Sequence, residues 1–309
     1  MTIAHEQEYQ LRTGDFDRRA ELQPSSVLDL FQDIAGISAE QTPGMTEKNM
    51  HERGIFWAVT RIKYEVVKMP ALHQRIIAKT WPLAPTAMGF QREYLLSDLD
   101  GNVLVKGSSL WIMMDWENRQ FVSARDIYDG PMDFSDEKNF AKVKRLKDFE
   151  AQEEPVRMRP AYTDIDVNGH TNNTKYANFA LNAWVPGAND HIKTFQIDYR
   201  KEVRFGQDID VFVKREDGTV LVKGSDAEGE RMFSCLIELA KRRRAPRVCV
   251  PWIRAPLGKP PRSRHDMAQH HARRDCTHPA GHGRDRARDP RCALGVHVAD
   301  HLTVDEVDP

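Results

Sequence analysis

The sequence predicts an α+β fold in which two similar units each wrap a curved antiparallel sheet around a central helix. Two amphipathic helix patterns occur, one near the start of each half of the chain. Each helix pattern is followed by four segments with strand character. A helix followed by several antiparallel strands can bury its apolar stripe against one face of the sheet, so the repeated order favours this layered arrangement.

The first helix pattern is SSVLDLFQDIAGISAE, residues 25–40, in which apolar residues recur at helical spacing after a Ser-Ser pair, the candidate cap. Four segments with strand character follow, at residues 56–67, 74–82, 90–98 and 102–115. Asp100 and Gly101 join the last two and are typical of a hairpin turn. We expect this first unit to span residues 1–140.

The same order recurs in the second half. The segment NNTKYANFALNAW, residues 172–184, places its aromatic residues on one helical face. Four strand candidates follow, at residues 193–203, 209–215, 219–225 and 231–240. Setting Asp15 on Asp164 gives an offset of 149 residues between the two copies. We expect the second unit to span residues 155–241.

A charged segment, AKVKRLKDFEAQEE at residues 141–154, lies between the units and is predicted to be a helical, solvated linker. After residue 241 the composition changes abruptly. Residues 1–241 contain 31 Lys and Arg against 38 Asp and Glu, a net charge of −7, whereas residues 242–309 contain 14 against 8, a net charge of +6. The tail lacks Phe and Tyr and is rich in Arg, Pro and His, so we expect residues 242–309 to be disordered or non-native sequence.

Composition excludes several classes of protein. No stretch approaches the roughly 18 consecutive apolar residues of a membrane span, and the polar first residues lack a signal-peptide core. We therefore expect a cytoplasmic protein with no membrane partner. Residues 1–241 contain one cysteine, Cys235, which excludes a disulfide framework or a CxxC metal knuckle there. Their acidic net charge argues against nucleic-acid binding.

The segment AYTDIDVNGHTNNTKYANF, residues 161–179, carries the pattern that favours chemistry. If residues 164–170 run extended, alternate side chains share one face. Four polar side chains would then form a stripe: Asp164, Asp166, Asn168 and His170. A helix start at Asn172 and Asn173 would add free N–H groups, where an anionic oxygen can bind. A histidine, a carboxylate, an amide and an oxyanion site are the parts of an acyl-transfer or hydrolysis site.

Two other interpretations fit parts of this segment. A histidine beside a helix start is often a cap or a surface residue, and Asp-x-Asp and Asn-Gly are common in turns. The polar stripe also imitates the start of an EF-hand calcium loop, with Gly169 at its sixth position. Such a loop requires Glu at its twelfth position, where this chain has Lys175, so we expect no metal site.

The string DIDVNGHTNNTKYANF closely resembles the signature of the acyl-ACP thioesterases, Asp-x-Asn-x-His-x-Asn-Asn-x-Lys-Tyr, at the start of their second hotdog helix. The resemblance covers most of residues 5–241 and extends to IDYRKEV, residues 197–203, where the family has a Tyr-Arg-basic-Glu strand. It implies a tandem, or double, hotdog fold, in which each curved antiparallel sheet wraps one helix.

The resemblance also implies the site residues. Carried over position by position, the catalytic set is Asp166, Asn168, His170 and Glu202. Asn172 and Asn173 would contribute to substrate binding. Many plant members have Cys directly after this Glu, and because Val203 stands there a cysteine nucleophile is not expected. Thr171 replaces the aliphatic residue that usually follows the histidine, a departure that bears on local packing.

The first copy lacks this catalytic set. Glu21 stands at the position that matches the histidine, Arg19 at that of the asparagine, and Val67 at that of the glutamate. We therefore expect one active site per chain, with the first copy supplying the acyl pocket. Four aromatic residues are candidates for the pocket lining: Phe31, Trp57, Trp81 and Trp111. Each of them could equally be an ordinary core residue.

The activity that the resemblance implies is hydrolysis of acyl-ACP to free fatty acid, which ends chain elongation, with no cofactor and no metal. The expected partner is an acyl carrier protein bearing a fatty acyl thioester, and the chain could form a homodimer. Glu202 would act either as a general base with His170 or as a nucleophile. The alternatives are an acyl-CoA thioesterase, a hotdog hydratase, and a non-catalytic protein that binds acyl thioesters.

Overall fold

A computed structural model of the chain describes most of residues 4–240. The described ranges are 4–42, 44–86, 89–123, 134–151 and 153–240. The expectation for the tail, residues 242–309, falls outside them. Within these ranges, no helix is both long enough and apolar enough to cross a membrane.

Helices and strands follow the predicted order in both halves of the chain. The first half contains β1 (His5–Gln10), α1 (Pro24–Glu40), α2 (Glu47–Glu52), β2 (Ile55–Val66), β3 (Arg75–Pro82), β4 (Phe90–Ser97), β5 (Val103–Asp115) and β6 (Phe121–Val122). The second half contains β7 (Val156–Met158), α3 (Lys175–Trp184), β8 (Ile192–Tyr199), β9 (Ile209–Glu216), β10 (Thr219–Ser225) and β11 (Arg231–Leu239). The sequence patterns missed α2, β1, β6 and β7, which are short or lie at the edges of the sheet.

The eleven strands that the structure describes form one antiparallel sheet with a mirrored order. The order is β1-β3-β4-β5-β2-β8-β11-β10-β9-β7, and β6 pairs with β5. Counted outward from the β2–β8 seam, the first half has the order β2, β5, β4, β3, β1 and the second half has the corresponding order β8, β11, β10, β9, β7. The α+β prediction and the internal repeat of element order are therefore confirmed.

Helix α1 packs directly against the inner face of the first half of the sheet. It begins at Pro24, whose fixed φ suits the first helical turn, so the Ser-Ser pair lies inside the helix and does not cap it. The Phe31 ring stacks on Tyr94 with ring centroids 4.3 Å apart. A Cβ at Gly107 would lie 2.1 Å from the Phe31 ring, so this close approach of helix and strand requires glycine on β5.

Residues 139–149 form an extended strap and not the helix predicted for the linker. The strap crosses the face of the sheet opposite the helices and bonds to side chains there. Leu146 N donates to Asp198 Oδ2 at 2.8 Å, and Val143 O accepts from Arg61 Nη1 at 3.0 Å. These tertiary hydrogen bonds replace the i to i−4 bonds that a helix would make, which overrides the helical pattern of the sequence.

An ion pair joins the two halves where β2 meets β8. Arg61 and Asp198 lie directly opposite each other in the register. Arg61 Nε donates to Asp198 Oδ1 at 2.8 Å and Nη2 donates to Oδ2 at 3.2 Å. The side chains are only 14% and 3% exposed, so solvent screens this two-pronged pair weakly. The strap therefore covers a charged contact that fixes the seam.

Replacing Asp198 with alanine is expected to lower the free energy of unfolding by about 3–5 kcal/mol, because the Arg61 guanidinium would stay buried without its partner. The measurement is urea-induced unfolding followed by circular dichroism.

The matched control is Asp210→Ala, which breaks a pair of the same two-pronged geometry with Arg157 at an exposed position. The Arg157 side chain is 69% exposed, so a loss below about 1 kcal/mol is expected. Equal losses in the two variants would mean that the seam pair stabilises the fold no more than a surface pair does.

Candidate active site

The segment before α3 turns back on itself as a tight hairpin. Asp166 N donates to His170 O at 2.9 Å, and Gly169 N donates to Asp166 O at 3.0 Å. Gly169 has φ +76°, in the left-handed region that glycine adopts at little cost. The prediction of an extended run over residues 164–170 is therefore wrong, because an Asn-Gly turn reverses the chain within it.

Both aspartates of this segment accept hydrogen bonds from the backbone. Asp164 Oδ2 accepts from Ala161 N at 2.8 Å, which closes a short 3-10 turn and removes Asp164 from the predicted polar stripe. Asp166 Oδ1 accepts from the backbone N of Asn168 at 2.9 Å and of His170 at 3.4 Å. Asp166 thus holds the backbone that presents Asn168 and His170.

His170 and Glu202 lie side by side although 32 residues separate them in the sequence. His170 Nε2 is 3.3 Å from Glu202 Oε2. The two side chains are 27% and 45% exposed, so water can reach both. An imidazole and a carboxylate in contact and open to water can together move a proton. Among the side chains that the structure describes, no group of three or more His, Cys, Asp or Glu is placed to hold a metal ion.

Hydrogen bonds around Val203 place Glu202 beside the hairpin. Val203 N donates to Tyr176 Oη at 2.8 Å, and Val203 O accepts from Thr171 Oγ1 at 2.6 Å. Burial raises the pKa of Tyr176 to about 12, which keeps the phenol neutral. The hydroxyl of Thr171 thus has a structural use that the aliphatic residue of the family signature could not provide.

Helix α3 begins at Lys175, later than predicted. Asn172 Oδ1 accepts from Thr174 N and from Thr174 Oγ1, both at 2.9 Å, and Asn172 O accepts from Lys175 N at 2.9 Å. The N–H groups of Thr174 and Lys175 are therefore occupied, so these two are not free to bind an oxyanion. Asn173 lines the cavity described next, whereas Asn172 is not among its lining residues.

A cavity of about 1900 Å³ lies between α1, the inner face of the first half of the sheet, and the hairpin. Its lining includes the polar residues Asp166, Asn168, His170 and Glu202. Its apolar lining includes Ala35, Met45, Met50, Trp57, Phe90 and Trp111. A group of apolar side chains beside a group of polar ones suits an elongated ligand with an apolar chain and a reactive polar end.

Two of the four aromatic candidates line this cavity and two do not. Trp57 and Trp111 line it. Phe31 is 1% exposed in the core, and Trp81 is 2% exposed with its Nε1 donating to Glu137 O at 3.0 Å. The pocket-lining prediction is therefore wrong for Phe31 and Trp81. Phe31 lies on the buried face of α1 against Tyr94, and Trp81 bonds to Glu137 in the segment before the strap.

The sequence patterns do not single out two arginines that also line the cavity. Arg92 Nη1 donates to Ser38 Oγ at 3.0 Å and to Thr80 Oγ1 at 3.3 Å, and loss of hydration lowers its pKa. Alternation along β4 places Arg92 on the inner face, which is a signal that could have found it. Arg119 Nη1 lies 3.6 Å from Glu202 Oε1 and stands in a turn, where no periodicity marks it.

The first half contains a hairpin with a matching backbone bond. Asp17 N donates to Glu21 O at 2.9 Å, as Asp166 N does to His170 O 149 residues later. The side chains differ: Glu21 contacts His191, and Arg19 Nη1 donates to Gly187 O at 3.1 Å. This hairpin therefore bonds to the loop between α3 and β8 of the second half.

Curated relatives of the chain include plant proteins. The palmitoyl-acyl carrier protein thioesterase, chloroplastic, of Cuphea hookeriana is 25% identical over 223 residues, which cover 62% of this chain and 52% of the relative. The oleoyl-acyl carrier protein thioesterase 1, chloroplastic, of Arabidopsis thaliana is 24% identical over 221 residues, which cover 65% and 60%. The chain thus spans between about half and three fifths of the length of these relatives.

Two solved structures share the fold over most of the described chain. An acyl-ACP thioesterase from Bacteroides thetaiotaomicron superposes with a TM-score of 0.67 at 20% identity, covering 77% of this chain and 98% of the other. The 12:0-ACP thioesterase from Umbellularia californica superposes with a TM-score of 0.65 at 19% identity, covering 78% and 99%. These likenesses confirm the predicted double-hotdog fold.

Family-level matches cover both halves of the chain. Residues 2–129 match the acyl-ACP thioesterase N-terminal domain. Residues 146–245 match the acyl-ACP thioesterase C-terminal domain. Together the two matches extend over well more than half of the sequence, and the chain belongs to the acyl-ACP thioesterase family.

Proposed function

We propose that this protein hydrolyses the thioester bond of a fatty acyl-ACP and releases the free fatty acid, which ends chain elongation. The observation that carries the proposal is the 3.3 Å contact of His170 Nε2 with Glu202 Oε2 on the wall of a cavity that also has a group of apolar lining side chains. An acyl chain can occupy the apolar part while its thioester lies beside a pair able to activate water. The names of the relatives support the same reaction.

In the proposed reaction, Glu202 with His170 accepts a proton from a water molecule as its oxygen bonds to the thioester carbonyl carbon. The side-chain amide of Asn168 makes no hydrogen bond within the described part of the chain, so it can donate to the oxyanion. Collapse of the tetrahedral intermediate breaks the C–S bond, and His170 returns the proton to the departing thiolate. The alternative route, attack by Glu202 to form an anhydride, uses the same residues.

His170→Ala and Glu202→Gln are each expected to lower kcat by about a hundredfold or more, because each removes one member of the proton-transferring pair. The measurement is steady-state release of fatty acid from acyl-ACP. The control is His73→Asn at an exposed position with φ 62°, a backbone that asparagine tolerates, and it should keep normal turnover. Near-normal hydrolysis by either folded site variant would sink the assignment.

Trp57→Ala is expected to shift the acyl preference toward longer chains, because Trp57 lines the cavity with its ring 5.0 Å from that of Phe90. Each methylene newly accommodated is worth about 0.8 kcal/mol, or roughly a fourfold gain in kcat/KM. The measurement is kcat/KM over a series of acyl-ACP chain lengths. Trp81→Phe, outside the lining, should lower stability without moving the optimum. Identical chain-length profiles for Trp57→Ala and the unmodified protein would contradict this placement.

The identity of the acyl carrier can be tested at the wall of the cavity. Arg200, Lys201 and Arg204 line it beside Glu202 and would attract an acidic carrier protein. We expect a KM about tenfold lower for acyl-ACP than for the matched acyl-CoA, and a difference that shrinks as salt is added. Equal or better use of acyl-CoA would indicate an acyl-CoA thioesterase. Tight binding of both without hydrolysis would indicate a binding protein.

The division of the chain is also proposed: residues 1–140 as the first hotdog, 141–154 as the linker and 155–241 as the second hotdog. The mirrored strand order on the two sides of the β2–β8 seam supports it. A cytoplasmic location and a homodimer stay predictions.

A further inference from the structure

Arg119 reaches the active site from the other half of the molecule. It stands in the turn between β5 and β6, and its N donates to Asp115 O at 3.1 Å. Its Nη1 lies 3.6 Å from Glu202 Oε1, whereas His170 Nε2 contacts the other carboxylate oxygen. Each oxygen of Glu202 therefore faces a different nitrogen-bearing group.

Two aromatic rings hold the guanidinium of Arg119 in place. Its Cζ lies 4.9 Å from the centroid of the Phe56 ring and 5.4 Å from that of Trp116. The two rings meet edge to face, with centroids 5.3 Å apart, and form a corner for the planar group. A guanidinium stacked on aromatic faces keeps its charge and loses much of its rotational freedom. Arg119 is thus a prearranged cation at a fixed place.

The backbone conformation at Arg119 is unfavourable for arginine, which indicates that the side chain has a use at this position. Its φ is 58°, in the left-handed region that asparagine and glycine occupy more readily than arginine does. An unfavourable backbone at a functional site is commonly retained when the side chain has a use there. Here the side chain spans from the first-half turn to the carboxylate of the second half.

We propose that Arg119 is a positioning residue for Glu202: it fixes the rotation of the carboxylate so that one oxygen stays turned toward His170 and the water it activates. Glu202 is 45% exposed, and within the described part of the chain its ion pairs are those with Arg119 and His170. Without Arg119 the glutamate side chain would gain rotamers that point away from the histidine. This inference rests on the proposed hydrolysis and adds a residue to its machinery.

The competing role for Arg119 is docking of the carrier protein, since its side chain is 43% exposed. The two roles differ in which kinetic constant they affect. A positioning residue acts after the substrate is bound and changes kcat for any acyl thioester. A docking residue changes KM, and only for the substrate that includes the carrier protein.

The first experiment compares Arg119→Ala with the unmodified protein on acyl-ACP and on a carrier-free acyl thioester of N-acetylcysteamine. We expect kcat to fall about tenfold on both substrates while KM stays within about twofold. The control is Arg18→Ala, which removes the same charge from an exposed position of the first-half hairpin and should change neither constant. A rise in KM confined to acyl-ACP would overturn the proposal.

A double-variant cycle tests whether Arg119 acts through Glu202. In a Glu202→Gln background, Arg119→Ala should cost less than about a further twofold, because the group it positions is already gone. A full and independent tenfold loss in that background would contradict the proposal. Arg119→Lys keeps the charge but loses the planar guanidinium that contacts both rings, so an intermediate kcat is expected.

A crystal structure of Arg119→Ala gives a readout independent of activity. Glu202 should turn so that its carboxylate is no longer within 3.3 Å of His170 Nε2, as it is in the unmodified chain. Arg18→Ala should keep that contact. If the unmodified protein hydrolyses neither thioester, the proposed function fails, and the position of Glu202 in this crystal still decides the role of Arg119. An unmoved Glu202 would refute that role.

Discussion

The ion pair between Arg61 and Asp198 underlies the rest of the structure because it fixes the seam between the halves. Across that seam one continuous sheet carries the cavity on its first half and the hairpin with His170 on its second. A slip of the β2–β8 register by one residue would turn each strand over and move its inner side chains to the outer face. A charged pair covered by the strap opposes such a slip in a way that apolar packing alone does not, because a shifted register would leave both buried charges unpaired.

The two halves have similar backbone folds, but only the second half has the candidate site residues. The lengths of the loops that follow α1 and α3 also differ. The connection between α1 and β2 contains α2, and Met45 and Met50 of this connection line the cavity. Between α3 and β8, residues 185–191 form a short loop whose Gly187 carbonyl bonds to Arg19 of the first-half hairpin. The longer connection in the first half therefore borders the cavity, whereas the shorter loop in the second half bonds to the first-half hairpin.

Long periodic segments were readable from the sequence, because alternation and helical spacing depend on neighbours along the chain. The patterns for α1, β4 and β10 match the structure to within a residue. Other features depend on contacts that no local pattern contains. Gly169 allows a turn within a run that the sequence pattern suggested was extended. The hydrogen bond from Leu146 N to Asp198 holds the strap extended although its sequence has a helical pattern. Which tryptophans face the cavity is set by how strands and segments pack, as the bond of Trp81 to Glu137 shows. The two segments that resemble the family identified His170 and Glu202, whereas the role proposed for Arg119 depends on a contact between the halves that no local pattern contains.

The hairpin that contains Glu21 also bears on how the chain could be engineered. Its backbone retains the bond that presents a histidine in the other half, yet its side chains now fasten it to the loop that ends at His191. A histidine in place of Glu21 would remove the carboxylate that contacts His191 Nδ1. The matching positions of the two hairpins therefore have different structural tasks, and copying a second-half residue into the first half would remove a contact that joins the halves.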